Sequence, residues 1–426
     1  KYIPTENVEK HVDSSIQVID NMGRVVKEMK PNTKSTDAAA KTEQVVAIVE
    51  YLSDLASEEH ITQRQLWLDP IPPMIYVDTL EKKYHHSTIA TVLNPIIGEY
   101  DDPFNQRQSA LTLPLSEEGN CVVYGAAGNG KTTFLTTLVY SLMKNHTAED
   151  LNIYIMDFGA ETLRAFEKAP QVGGVLLSYE NEKVTNLFKM LYREFEKRKQ
   201  LFAEFGGDYS SYCKNSGKIV PNIVVILNNY LGFAEQYEDL DEIFTQLTRD
   251  GIKCGIHFVV SAGNTNAIRY RTLQNFKQLL TMQLNDPNDY STIVGKTDGL
   301  IPSKCKGRGL IHLDRTYEFQ TAHCCKCNDQ FEFIRAYCSK LSEKAETFAK
   351  RVPVLPDVVG FDTVRAEISN LEQLPVGIEK KSLATAKINL ASKYLFPVIA
   401  QDIGQLQSFT QCFINVLAAC KPAVSV

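Results

Sequence analysis

The stretch Gly125-Ala-Ala-Gly-Asn-Gly-Lys-Thr132 constrains this chain more than any other segment of it. Gly125, Gly130, Lys131 and Thr132 stand at the spacing of a P-loop. Its glycines let backbone N–H groups curl around phosphate oxygens with no Cβ in the way. A helix that follows adds the partial positive charge of its N-terminus. The context the loop requires is present: Cys121-Val-Val-Tyr124 reads as a short buried strand, and Lys131 to Lys144 reads as a helix. In such a loop Ala126, Ala127, Gly128, Asn129 and Thr133 complete the cradle. Lys131 reaches the β and γ phosphates, and Thr132 ligates Mg²⁺. ATP and Mg²⁺ are therefore the expected cofactors.

Around the loop, apolar strands alternate with helices. Leu151 to Met156 reads as a strand ending at Asp157, and Glu182 to Phe205 as a long charged helix. Ile223 to Leu227 is a further strand, Ile243 to Asp250 a helix, and Ile256 to Ser261 another strand. Dry strands separated by helices predict an α/β fold of the P-loop NTPase (RecA-like) kind, a parallel sheet with helices on both faces.

Hydrolysis asks for more than a P-loop. A second strand should end in an acidic pair, one carboxylate for Mg²⁺ and one to polarise water. The strand in the right place is Pro221-Asn-Ile-Val-Val-Ile-Leu227, and it ends in Asn228-Asn229. An amide carries no negative charge and cannot accept a proton, so Asn228 and Asn229 form a degenerate catalytic pair beside Lys131. Losing a general base typically costs about 10²–10⁴ in rate. In an alternative reading Asn228-Asn229 is only a turn, and Asp157 or Glu161 supplies the acid. A polar sensor is expected after the strand at 256–261, where Ser261 is a possible remnant and Gly263 has no side chain. Lys306-Gly-Arg-Gly309 is either a nucleotide-facing segment or an ordinary turn. Arg249, Arg269, Arg271 and Arg308 are the candidates for an arginine finger.

The remaining sequence sets outer limits. A net charge of −6 and a pI near 5.9 argue against a constitutive nucleic-acid binder. No run approaches the roughly 18 apolar residues of a membrane span. The chain begins at Lys1 and is expected to be a piece of something longer. Residues 1–66 read as a mostly helical, polar segment broken at Pro31-Asn32-Thr33. From Glu43 to Leu55 a helix carries Val45, Val46, Ile48, Val49, Leu52 and Leu55 toward a domain. Leu68 to Met74, rich in proline, is an extended connector. The cluster His323-Cys324-Cys325-Lys326-Cys327 is either a zinc site completed by Cys338 or Cys305, or a set of reduced thiols.

The chain also repeats itself weakly. Pro72 to Leu80 resembles Pro356 to Val364, Gly98 resembles Gly377, and Val122 to Gly128 resembles Val398 to Gly404, at an offset of about 280 residues. This predicts tandem modules: a tail and linker over 1–66, an ATPase module over 67–345, and the start of a degenerate module over 346–426. In the last, Gln401-Asp-Ile-Gly-Gln-Leu-Gln407-Ser408 has glutamine at the lysine position, which argues against phosphate binding.

The order of these pieces resembles the FtsK/SpoIIIE branch of P-loop motors. The resemblance rests on the loop at 125–132, the strand Pro221 to Leu227, and Gly255-Ile-His-Phe followed by Lys306-Gly-Arg-Gly309. Within that branch, Trp67-Leu68, Pro70 to Pro73 and Asp101 to Gln108 are similar to the lead-in of EssC-type ATPases of type VII secretion. The resemblance spans residues 65–425. It places the family's acidic pair on Asn228 and Asn229 and its glutamine on Gly263. It implies an ATP-binding module with weak or no hydrolysis, on the cytoplasmic face of the cell membrane. The implied partners are other ATPase modules of the same chain, secretion-system membrane components, a homo-hexamer, and small helical secreted substrates bearing a Trp-x-Gly turn. No nucleic acid is expected, and the alternative function is an FtsK/SpoIIIE-type DNA translocase.

Overall fold

A computed structural model describes residues 15–29, 44–61, 68–327, 329–356, 358–379, 384–392 and 395–420. Pro31-Asn32-Thr33, Trp67 and residues 421–426 lie outside the described residues. The chain forms two compact units, Lys1–Leu68 and Asp69–Val426.

The first unit departs from the helical expectation. Strands β1 (Ile16–Ile19) and β2 (Val25–Met29) form an antiparallel hairpin. Ile16, Val18, Ile19, Val25 and Val26 are β-branched and favour extended backbone. The turn between them closes because Asp20 Oδ1 accepts from the N–H groups of Met22 (2.8 Å) and Arg24 (2.9 Å), while Gly23 takes φ +77°. The expected helix does form, over Gln44–Glu58, but none of its residues is buried. Val45, Val49 and Leu52 are 69%, 59% and 55% exposed, so its apolar stripe is not packed as the spacing suggested.

The second unit is built on a ten-stranded sheet. Its strands are β3 (Ile96–Asp102), β4 (Arg107–Thr112), β5 (Asn120–Tyr124), β6 (Leu151–Asp157) and β7 (Val172–Leu177). They continue with β8 (Asn222–Asn228), β9 (Ile256–Ala262), β10 (Phe276–Met282), β11 (Arg308–His312) and β12 (Thr316–Thr321). The spatial order is β4-β3-β12-β11-β10-β5-β9-β8-β6-β7. From β10 to β7 all pairs are parallel; from β10 outward to β4 all are antiparallel. The fold is thus the expected α/β P-loop type, with an antiparallel extension that pure strand–helix alternation does not announce.

Side chains of the parallel strands alternate between two cores. Cys121, Val123, Ile155, Val224 and Ile226 pack with Phe134, Leu135 and Leu138 of the helix Lys131–Asn145. On the opposite face Val122, Tyr124, Met156, Val225 and Leu227 pack with Leu187 and Phe188 of the helix Asn181–Ala203 and with Phe244 and Leu247 of the helix Asp241–Asp250. Helices therefore cover both faces, as parallel strands require. The free edge of β7 is covered by residues 349–353. Ala349 N–H donates to Pro170 O (2.7 Å), and Tyr154 Oη donates to Lys350 O (2.8 Å). An unprotected edge invites pairing with another chain.

Beyond this strap, β13 (Leu374–Ile378) and β14 (Thr385–Ile388) pair antiparallel, and a helix runs from Ile403 to Ala419. Val364, Leu374, Val416 and Cys420 form a small core of their own.

Candidate nucleotide site

The P-loop leaves the C-terminal end of β5 in the middle of the sheet, the end at which open α/β sheets bind their ligands. Gly125 N–H donates to Ala262 O (3.1 Å), and Ala126 N–H to Gln283 O (2.8 Å), so the loop hangs between the ends of β9 and β10. Asn129 Nδ2 fixes its far side by donating to Gln283 O (3.0 Å). The glycines are needed where they stand. Gly130 takes φ +104°, and a Cβ there would lie 2.9 Å from the backbone of Gly307.

The loop fits a phosphate. The helix Lys131–Asn145 starts at Gly130 with no side-chain cap and no acidic residue in its first turn. Its first N–H groups, those of Lys131, Thr132 and Thr133, are therefore left for a ligand. Lys131 is half-buried, and its Nζ donates only to the loop's own carbonyls, Gly125 O (2.5 Å) and Ala126 O (3.0 Å). Burial pushes its pKa below the usual lysine value, so an anion beside it would stabilise the ammonium. Ala127 and Gly128 stay exposed at the crest of the loop.

The presumed acidic end is different. In the parallel register Asp157 of β6 stands beside Asn228 of β8, and β9 lies between β8 and the P-loop strand. Asn228 Nδ2 donates to Asp157 Oδ1 (2.8 Å), and Ser261 Oγ donates to Asn228 Oδ1 (2.8 Å). Ser261 Oγ also accepts from Asn229 N–H (2.8 Å). Asp157 accepts further bonds from the N–H groups of Gly159 and Leu163, both at 3.1 Å. Asp157, Asn228 and Ser261 are 1%, 4% and 0% exposed. Both ends of the Asn228 amide are occupied, and the Asp157 carboxylate is held by three donors. Asn229 takes left-handed backbone (φ 69°), and its Nδ2 donates to Phe158 O (3.2 Å). Neither carboxamide is a base, and Asp157 is turned into the network. Glu161 begins the short turn Thr162–Phe166, also left-handed at φ 57°, and is exposed. At the expected sensor position, Gly263 faces open space: a Cβ there meets nothing within 4 Å.

Two expectations about charged and sulfur groups need correction. Arg308 is engaged within the protein. It is 8% exposed and donates to Gln320 Oε1 (2.9 Å), Glu318 Oε2 (3.3 Å) and Ile71 O (2.6 Å). A guanidinium with three acceptors in place is held by them rather than free for a ligand. Of the other finger candidates, Arg249 pairs with Asp250, Arg269 pairs with Asp241, and Arg271 is exposed. Cys325 and Cys327 are not free thiols but are bonded to each other, while Cys324 and Cys338 are buried and free. No group of three or more His, Cys, Asp or Glu among the described residues is arranged to hold a metal ion.

At residues 401–408 no phosphate loop forms. The helix starts at Ile403, so Gln407 and Ser408 lie inside it, and Asp402 caps it by accepting from Gln405 N–H (3.0 Å). A carboxylate stands where a phosphate would be drawn.

The sequence left Lys306-Gly-Arg-Gly309 as either a nucleotide-facing segment or an ordinary turn. Gly307 packs on the P-loop, its N–H donating to Asn129 O (3.3 Å). No local signal announces that contact, because it joins segments far apart in sequence. The Asp157–Asn228–Ser261 network did have a signal: each is the first polar residue after an apolar strand of matching register.

The sequence pattern of the FtsK/SpoIIIE family matches residues 81–298, half of the chain. The chain belongs to the FtsK/SpoIIIE family. This FtsK/SpoIIIE chain is similar to the type VII secretion system protein EssC of Staphylococcus aureus (strain MRSA252), with 23% identity over 407 residues, 91% of this chain and 27% of the relative. It is also similar to the ESX secretion system protein YukB of Bacillus subtilis (strain 168), with 25% identity over 372 residues, 83% of this chain and 24% of the relative. It thus spans about a quarter of the length of the curated relatives it matches. Among solved structures, EssC (ATPases 2 and 3) from Geobacillus thermodenitrificans matches with a TM-score of 0.73 and 24% identity, over 83% of this chain and 68% of that one. Thermomonospora curvata EccC (ATPases 2 and 3), in complex with a signal sequence peptide, matches with a TM-score of 0.61 and 26% identity, over 76% and 60%. The chain is thus an EssC-like member of its family. No described helix is long and apolar enough to cross a membrane.

Proposed function

We propose that this chain is an ATP-binding module of a membrane-associated type VII protein secretion motor, with weak or no hydrolysis. Nucleotide at 125–132 regulates assembly of the motor and export of its substrate. Residues 346–426 begin a following module that has lost its phosphate loop. The other ATPase modules of the same polypeptide and small helical secreted proteins are its partners, at the cytoplasmic face of the membrane. The EccC neighbour that carries a signal sequence peptide supports the substrate class.

One observation carries the reading: Asn228 occupies the acidic position with both ends of its amide engaged, while the helix after the P-loop starts uncapped. Binding is kept and water activation is not. Lys131 holds the β and γ phosphates, Thr132 the Mg²⁺, and the N–H groups of Lys131, Thr132 and Thr133 face the phosphates from a cradle that Ala126, Ala127, Gly128 and Asn129 shape. Neither amide beside the site can take a proton from water, and the neighbouring carboxylate, Asp157, is buried and already accepts from Asn228, Gly159 and Leu163.

The test is equilibrium titration of Mg-ATP into the purified chain and its Lys131→Ala variant, followed by sedimentation with and without nucleotide. Saturable binding abolished by the substitution, with a nucleotide-dependent change in association, supports the proposal. A wild-type chain that binds no nucleotide removes it.

A further inference from the structure

Among the described residues two arginines are buried, and each donates to three acceptors. Arg198, 2% exposed, lies near the start of β8. It donates to Glu194 Oε1 (2.9 Å), Cys254 O (2.9 Å) and Pro221 O (2.8 Å). Arg308 lies at the start of β11, beside the P-loop, and one of its three acceptors is Ile71 O in the connector that enters the module. That connector is stitched on by His323 N–H to Ile75 O (2.7 Å) and Val77 N–H to His323 O (3.1 Å).

From Arg308 the contacts run to the phosphate loop. Gln320, which accepts from Arg308 Nε, donates through Nε2 to Lys306 O (3.1 Å). Thr321 N–H donates to Gly307 O (2.9 Å). Gly307, held at φ +81°, donates to Asn129 O and touches Gly130 so closely that a Cβ on Gly130 would stand 2.9 Å from its N and Cα. An unbroken series of polar contacts and one tight backbone contact therefore joins Ile71 to Gly130. A planar guanidinium with acceptors on separate segments fixes their relative positions in a way a single-point ammonium does not.

We propose that Arg308 is a positioning residue for the nucleotide site, tying the connector at Ile71 to the P-loop through Gly307. Displacing the connector loosens the loop and weakens nucleotide binding; bound nucleotide holds the connector in place, because coupling between two sites is reciprocal. The proposal rests on the reading that the loop at 125–132 binds nucleotide.

The test compares Mg-ATP affinity for the wild-type chain, Arg308→Gln, Arg308→Lys and Arg198→Gln, each well below its melting midpoint. Arg198→Gln is the control: it removes a similar set of buried hydrogen bonds next to Cys254 and Pro221, away from the loop. Arg308→Gln is expected to weaken affinity about tenfold or more, Arg308→Lys to fall between, and Arg198→Gln to stay within about twofold while still lowering the melting midpoint. Unchanged affinity in folded Arg308→Gln overturns the coupling alone, as does an equal loss in Arg198→Gln. If Arg308→Gln does not fold, hydrogen exchange on the wild-type chain decides. Saturating Mg-ATP should slow exchange over 70–77 and 306–309 together, and unchanged exchange over 70–77 overturns the coupling. A wild-type chain that binds no nucleotide removes the P-loop reading and this proposal with it.

Discussion

Two strand ends meet this site and treat their polar groups in opposite ways. At the end of β5 the helix starts uncapped, and Lys131 finds only carbonyls of its own loop. At the end of β8 Asn228 gives its N–H to Asp157 and takes the hydroxyl of Ser261. The first end is arranged for a ligand that is not protein; the second is closed by its neighbours. On the proposed reading, phosphate binding and water activation are separable parts of such a site.

Substitutions can break this contrast, and the largest effect belongs to the open end. Lys131→Ala should weaken Mg-ATP binding on the order of 100-fold, because a charge-assisted contact to phosphate has no substitute in the loop. Unchanged affinity by calorimetry would show that the loop is not the site.

Next comes the closed end. Asn228→Asp sets a carboxylate against Asp157, where the amide now donates. It should cost about 1–3 kcal/mol at pH 7 in urea unfolding. Like charges raise the folded-state pKa of the pair, so the deficit relative to wild type should shrink toward pH 5. A variant as stable as wild type at both values would mean the network is not closed.

A third effect concerns the sheet that carries both ends. His257 of β9 is 2% exposed, and burial lowers its pKa to about 4. The unfolded chain then binds more protons than the folded one between pH 6.5 and 4. Stability is full above that window and falls as pH drops through it, by about 2 kcal/mol from pH 7 to pH 5. His257→Gln should flatten that part of the urea-unfolding profile; an unaltered slope would assign the loss elsewhere. The smallest effect is at Gly263, where Gly263→Gln should change stability by no more than about 0.5 kcal/mol because the space is open. A larger loss in thermal unfolding would show that the sensor gap is filled.

The central sheet was legible because β5, β6, β8 and β9 are dry runs bounded by helices, each ending at a polar residue. The antiparallel strands β3, β4, β11 and β12 were harder. Glu99, Asp102, Thr321 and Gln320 are polar residues buried by tertiary pairing, which periodicity does not foresee. Hairpin β1–β2 was missed because its turn, Asp20 to Gly23, closes on a side-chain bond that the polar character of the segment masks. Lys131, Thr132 and Asn228 were singled out from spacing, and the fold sets them at the ends of β5 and β8. The fate of Arg308 was not legible from spacing, because its acceptors Ile71 and Gln320 come from separate parts of the chain.

The most direct test of the central claim is a single-turnover assay: a stoichiometric amount of Mg-ATP, fully bound to the wild-type chain, followed for phosphate release. The account predicts bound, intact ATP with release no faster than in the Lys131→Ala control. Rapid release that depends on Lys131 would show that a base other than Asn228 or Asn229 activates water here, and the closed end of β8 would lose its meaning.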